Sequence, residues 1–402
     1  MITRTGRRLV RVVSGLTLAV VTALGAGALA PANAADTPAL PPVNPTALRA
    51  AIAGLPSAEA TAAIVRVGGT SGSWTGESGT AELGTNRPVS ANARFRVGSI
   101  TKVFTAAVVL QLAAEHKVEL DQPVQRYLPG VLPARYPDIT VGQLLNHTSG
   151  LPSPDLYTGL PDQLAHRFSV LTPQRYVELL SRKDMLFTPG TQQHYSNSGY
   201  FLAGMLIEKV TGHSYEQEVS RRIFQPLGLR QTSAPGNDPF IWGVHNHGYQ
   251  TVTDESGTRL VDVTVFNQSD TWAAGEIIST TADLEKFTTA LFSGKVVPRP
   301  LLKNMFTVPV HPVTHQPLHA YDGDDDPTTG KAAVHSMGMS KMELAPGLVA
   351  WGKSGARLGY SAAIGATEDL SRILVYSLNS TNAKAEGQNQ LGLKVITAAF
   401  AG

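Results

Sequence analysis

The 402-residue chain contains no cysteine, which excludes a disulfide scaffold and a thiolate nucleophile. Charge is also sparse: Asp, Glu, Lys and Arg make up 16% of residues against 42% apolar ones, the reverse of what an intrinsically disordered chain needs. No internal repeat is present. The length admits two or three average domains or one large α/β unit.

What is present begins with a leader. Arg4, Arg7, Arg8 and Arg11 stand with no acidic residue among them. An apolar run from Val12 to Ala30 follows, and Ala32-Asn33-Ala34 then precedes Ala35-Asp36. This is the layout of a cleaved secretory signal peptide over residues 1–34. The run is near the minimum spanning length and diluted by Gly, Ser and Thr, which favours cleavage over a retained anchor. Arg7-Arg8 fits a twin-arginine signal only loosely, so the general secretory route and a secreted product are expected. Loss of four arginines leaves 29 basic against 31 acidic residues, turning the full chain's +2 into about −2. No basic patch argues for nucleic acid, and no membrane attachment is expected after cleavage. Without cystines, stability must come from the core that a chain of this size can bury.

Residues 35–45 are rich in Pro and Ala and read as a flexible lead-in. Thr46–Ala53 is helix-like with Thr46 as N-cap. AAIVRV (62–67), GTAEL (79–83) and ARFRV (93–97) read as strands, with a Gly/Ser/Thr turn after the first. Ile100–Ala114 is a strongly apolar helix, and helices and loops dominate from Asp121 to about Phe292. GLVAW (347–351), YSAAIGAT (360–367) and RILVYSLN (372–379) read as strands, and Gln388–Phe400 as a closing helix. Strands at both ends with a helical middle predict an α+β fold in which the two ends share one antiparallel sheet.

The nucleophile elbow G-x-S-x-G is missing; Gly352-Lys353-Ser354-Gly355-Ala356 lacks the last glycine. A different constellation is present. Ser99 opens the apolar helix and Lys102 lies three residues on, on the same helical face. There the hydroxyl has backbone N–H groups and the positive end of the helix dipole beside it. A Lys buried one turn along has a depressed pKa and can act as a base. S-x-x-K alone is a common pattern, equally an N-cap serine with a surface lysine. Tyr195 and Asn197 stand two apart just before a second helical run. Lys353-Ser354-Gly355 sits between strand-like segments. Each has a bland reading, a turn or a strand-edge lysine; the order S-x-x-K, Y-x-N, K-S-G at wide spacing is far rarer.

With these motifs the sequence resembles the serine β-lactamase and penicillin-binding-protein superfamily, above all the branch with class C β-lactamases and secreted actinobacterial D-alanyl-D-alanine carboxypeptidases. The resemblance covers nearly all of residues 60–400. It includes FRVGSITKVFTAAVVLQL (95–112), DITVGQLLNHTSGL (138–151), HYSNSGYFLAGMLIEKVTGHSYEQ (194–217), WAAGEIISTTADLEKF (272–287) and GKSGARLGYSA (352–362). It implies a β-lactamase/transpeptidase-like domain over 46–402: a sheet subdomain from 46–98 and 295–402 and a mostly helical one from 99–294. Ser99 would be the acylated nucleophile, Lys102 its hydrogen-bonded base or relay, and Tyr195 the other acid/base; which takes the first proton stays open. Asn197, Lys353, Ser354 and Gly355 would bind substrate, with Trp272 lining the cleft. The N–H groups of Ser99 and Ala356 would form the oxyanion hole.

One departure stands out. The related peptidases carry an arginine on the strand before K-[ST]-G to grip a terminal carboxylate, and Ser340 falls there. Lys341 or Arg357 could substitute, though lysine lacks the bidentate fork. The implied activity is a D-Ala-D-Ala carboxypeptidase acting as a monomer on peptidoglycan stem peptides, with β-lactams as acylating inhibitors or substrates. An esterase, a β-lactamase or a binder without turnover on the same scaffold are the alternatives. This chemistry requires no metal or organic cofactor.

Other signals carry less. Gly347–Ser354 fits a P-loop pattern, but its middle reads as strand and Gly355 and Gly359 interrupt any following helix. Pro312 and Pro317 break the helix that His311, His315 and His319 would need to share a metal. Asp322, Asp324, Asp325 and Asp326 resemble a calcium loop, but Pro327 and Ala333 stand where Gly and Glu are needed. His245 and His247 read as ordinary loop residues.

Overall fold

The computed structural model describes residues 40–255, 257–323, 330–383 and 390–401. The leader, residues 35–39 of the lead-in and Asp324, Asp325 and Asp326 lie outside the described residues. In chain order the strands are β1 (Ala60–Gly68), β2 (Trp74–Gly79), β3 (Phe95–Arg96), β4 (Tyr249–Asp254), β5 (Gly257–Asp262), β6 (Ile278–Ser279), β7 (Ser340–Ala345), β8 (Leu348–Arg357), β9 (Tyr360–Ala366) and β10 (Ile373–Ser380). Six of them form one antiparallel sheet in the order β2-β1-β10-β9-β8-β7, so the two ends of the chain do meet in one sheet.

Side chains on a strand alternate between faces, and β10 uses both. Leu374, Tyr376 and Leu378 join Val65 and Val67 of β1 in a core closed by α1 (Pro45–Ala51) and the helix Gln390–Phe400. Ile373 and Val375 face the opposite way, into the larger core with Leu284 and Phe287 of the helix Thr281–Phe292. Helices therefore cover both faces of the sheet. Arg372 ties the first of these layers together, donating to the carbonyls of Pro41 and Ala399.

Three local expectations need correction. The N-cap of α1 is Asn44, not Thr46: its Oδ1 accepts from the N–H groups of Thr46 and Ala47 at 3.1 and 3.0 Å. Pro45 takes the first helical position, where its missing N–H costs nothing. The strand placed at 79–83 lies earlier, at β2, because pairing along β1 outweighs the turn-like composition of Trp74–Gly79. The hairpin β4–β5 interrupts the helical middle. β5 is exposed along nearly all its length and rich in polar residues, so it gives little apolar alternation to read.

The pieces that place the site are short. α2 (Thr101–Ala114) is buried on every side from Thr101 to Leu110, as a helix with apolar residues all round it must be, and Thr101, Lys102 and Thr105 are buried with them. The pairing of β3 with β6, with Val97 N–H to Ile277 O at 2.9 Å, holds the chain entering α2 against the sheet.

Candidate active site

Ser99 sits in a 3₁₀ turn, Gly98–Ile100, that runs directly into α2. Gly98 has φ +54°, and a Cβ there would stand 2.6 Å from Ala356 N; one on Gly355 would stand 2.0 Å from Val97 O and 2.7 Å from Ser99 N. The two glycines let β8 and the Ser99 turn pack backbone to backbone, which brings the N–H-bearing atoms of Ser99 and Ala356 to one place. Gly355 thus serves by having no side chain. Pairing of β7 with β8 ends at Gly352, while β9 pairs with β8 as far as Arg357. Lys353 to Ala356 therefore have a strand on one side only, and the Ser99 turn packs beside this edge.

Lys102 is fully buried and its Nζ reaches three acceptors: Asn197 Oδ1 at 2.7 Å, Ala274 O at 2.8 Å and Ser99 Oγ at 3.2 Å. Burial, and then the nearby charges of Lys353 and Arg357, hold its pKa well below the ordinary lysine value. A neutral amine has two protons and one lone pair. Asn197 Oδ1 and Ala274 O can only accept, so when the amine is neutral they take its two protons and its lone pair is left for the Ser99 hydroxyl; when it is charged its third proton points to Ser99 Oγ.

Tyr195 and Asn197 come from the segment entering the helix Ser198–Thr211. Tyr195 Oη is buried without a hydrogen-bond partner of good geometry, and Lys102 and Lys353 place their Nζ atoms 5.0 and 4.6 Å from its ring centre. Burial raises its pKa, an effect that Ser99 beside it partly offsets, so the phenol is protonated at neutral pH. Lys353 is 8% exposed, donates to Ser354 O at 3.1 Å, and has its pKa lowered to about 8 by burial. Ser354 is half-buried on β8.

Trp272 departs from the expected cleft-lining aromatic. Its indole is 6% exposed, its Nε1 donates to Glu216 Oε1 at 2.9 Å, and it packs against Phe201 and Tyr215. A large ring beside an apolar helix gains more from burial than from the cleft, and its one polar atom is satisfied there. Its turn reaches the site through backbone instead, by way of Ala274 O.

The two candidates for the missing arginine differ, and neither offers an open guanidinium. Arg357 is 2% exposed and ion-paired with Asp270 Oδ1 at 2.7 Å. Lys341 is exposed on β7, opposite Trp351. Ser340 Oγ is bonded instead to His335 Nδ1 at 2.8 Å. His335 and His147 flank Tyr195, with ring centres 5.3 and 4.6 Å from its own. Sequence reasoning passed over both histidines; His147 lies within the quoted run DITVGQLLNHTSGL, where nothing marks it as a neighbour of Tyr195. His311, His315 and His319 fall outside helix and strand, and among the described residues no group of three or more acidic or histidine side chains could hold a metal.

Known proteins resemble this chain in sequence and fold. The chain is 33% identical to a D-stereospecific amidohydrolase from Streptomyces sp. (TM-score 0.75, covering 89% of this chain and 98% of that one). It is 26% identical to the D-amino acid amidase of Ochrobactrum anthropi SV3 complexed with L-phenylalanine amide (TM-score 0.70, 88% and 97%). Penicillin-binding protein 4* of Bacillus subtilis (strain 168) is 30% identical over 244 residues, 57% of this chain and 51% of that protein. The chain thus spans about half the length of this curated relative. Residues 48–397 match the family described as Beta-lactamase, and the chain belongs to that family.

Proposed function

We propose that the protein is a serine hydrolase that cleaves amide or ester bonds on the carbonyl side of a D-amino acid through an acyl-Ser99 intermediate. The observation that carries this reading is the buried Lys102 amine, held 2.7 Å from Asn197 Oδ1, 2.8 Å from Ala274 O and 3.2 Å from Ser99 Oγ. In the proposed reaction, Ser99 Oγ attacks the substrate carbonyl carbon as its proton passes to Lys102 Nζ. The oxyanion meets the N–H groups of Ser99 and Ala356. As the C–N bond breaks, Tyr195 gives its phenolic proton to the leaving nitrogen and regains one from Lys102. Water then hydrolyses the ester and frees Ser99. The substrate backbone would lie along the edge of β8 from Lys353 to Ala356, with Ser354 beside it.

The choice of a D-residue rests on the similarity to D-stereospecific amidases. Arg357, buried and paired to Asp270, offers no free guanidinium to a substrate, which favours leaving groups that need no carboxylate grip: ammonia, amines or alcohols. The D-Ala-D-Ala carboxypeptidase is the second reading, favoured by Lys353, a cation below about pH 8 beside the open strand edge. Secretion under the leader at residues 1–34, a monomeric state and β-lactams as acylating ligands belong to the same proposal.

Turnover of D- and L-phenylalanine amide and release of D-Ala from a diacyl-Lys-D-Ala-D-Ala tripeptide should be compared, with mass spectrometry of the penicillin-treated protein. The reading predicts preference for the D-amide and a mass increment on the Ser99 peptide. Faster D-Ala release would select the carboxypeptidase. Turnover that survives Ser99→Ala would overturn the mechanism.

A further inference from the structure

His147 carries more contacts to the catalytic tyrosine's surroundings than any role so far assigned to it requires. It lies just past the helix Val141–Leu145 with φ +66°, a conformation that a non-glycine residue adopts at a cost. From there its carbonyl accepts the N–H of His194 at 2.8 Å, and its Nδ1 accepts the N–H of Ser196 at 3.3 Å. These are the two residues on either side of Tyr195. The imidazole, 3% exposed, packs 4.6 Å from the Tyr195 ring and 5.4 Å from that of Tyr200. Tyr195 Oη, meanwhile, has the Ser99 hydroxyl beside it but no hydrogen bond of good geometry to orient it. The direction of the phenol is therefore set by its backbone flanks and by the rings against it, and His147 supplies both flanking contacts and one of the rings.

We infer that His147 is the positioning residue of Tyr195, aiming the phenol at the leaving group through a neutral imidazole that accepts at Nδ1. The inference rests on the reading of Tyr195 as the proton donor. Acceptance at Nδ1 requires a lone pair there, so protonation at that nitrogen would break the contact to Ser196. The charged and titratable groups facing the imidazole oppose its charge: His335 before β7, Lys102 on α2, Lys353 on β8 and His194; the Tyr195 and Tyr200 rings pack against it and carry no counter-charge. Burial first, and then the charges of His335, Lys102, Lys353 and His194, hold its pKa well below the ordinary histidine value.

The test separates leaving groups. A misaimed acid should slow expulsion of an amine and hardly affect a p-nitrophenyl ester, whereas a general loosening of the site slows both. His147→Phe keeps a ring but removes the acceptor; kcat for a D-amino acid amide should fall about 10- to 100-fold while the p-nitrophenyl ester of the same acid changes by less than about threefold. His147→Asn, whose Oδ1 can replace Nδ1 and whose backbone tolerates this φ, should stay within about threefold of the parent on both. If His147→Phe does not fold, His147→Gly with and without imidazole answers the same question, since restored amide turnover on adding imidazole is expected. Equal losses on amide and ester, unchanged amide turnover in His147→Phe, or no rescue of His147→Gly would overturn the role. Tyr195→Phe is run alongside. If it loses amide turnover and the His147 variants do not, only the positioning role fails; if it retains full activity, the reading of Tyr195 fails and this inference with it.

Discussion

Asn197 Oδ1 holds Lys102 Nζ at 2.7 Å, so an amide at the entrance of one helix fixes the amine near the entrance of another. The neutrality of that oxygen matters. Replacing it by a carboxylate favours the charged lysine, and an opposite charge at such a distance moves a pKa by about one to three units. Asn197→Asp should therefore shift the acid limb of the kcat/KM profile for acylation to higher pH and lower activity at neutral pH. An unchanged profile would show that the rate does not depend on neutral Lys102.

Lys353 gives a second pH signature. Its charge is present below about pH 8 and lost above it. For a substrate ending in a free carboxylate, KM should rise as pH passes that value, while KM for a neutral amide stays level. Stability moves the other way. The unfolded chain keeps this proton up to its ordinary 10.5 and the native chain only to about 8, so this group makes stability rise with pH across that window. Lys353→Met should remove both effects, read by KM profiles and by denaturant unfolding.

Gly355→Ala probes the contact between β8 and the Ser99 turn. The added Cβ would stand 2.0 Å from Val97 O, so the two backbones must separate. Overpacking of this kind costs about 1–3 kcal/mol, visible as a lower urea midpoint. Acylation by penicillin should fall further than stability does, because the separation also moves Ser99 N away from Ala356.

Arg357 and Asp270 form a buried ion pair that anchors the segment leading to Ala274. Removing one partner leaves an unpaired buried charge, at about 3–5 kcal/mol. Asp270→Ala should be destabilised by about that amount, and Asp270→Ala with Arg357→Leu should recover much of it. A double variant as unstable as the sum of the single ones would show that the pair is not coupled.

Side-chain chemistry was legible where motif and helix entrance coincide. Ser99 and Lys102 share a helical face, and Tyr195, Asn197 and Lys353 follow in the expected order. The open edge of β8 was hidden because it depends on where β7 stops pairing, which no local composition encodes. Ala274 contributes only its carbonyl, and any residue has one. Trp272 was misplaced because its residue type suits a cleft and a core equally, and Gly204, whose missing side chain makes room for the indole, lies 68 positions earlier in the chain. His147 was passed over because its contacts to residues 194 and 196 run through a conformation that sequence does not announce.

The pairing of β1 with β10 joins Ala60 to Ser380 and Val65 to Tyr376. β1 is made early and waits for a partner that is synthesised more than 300 residues later. Contacts of such separation in sequence close slowly, because the loop between them must be ordered first. The sheet edge that carries Lys353 thus belongs to the last part of the chain to be made. The nucleophile and its base can be synthesised, and α2 formed, long before the strand that completes their site exists.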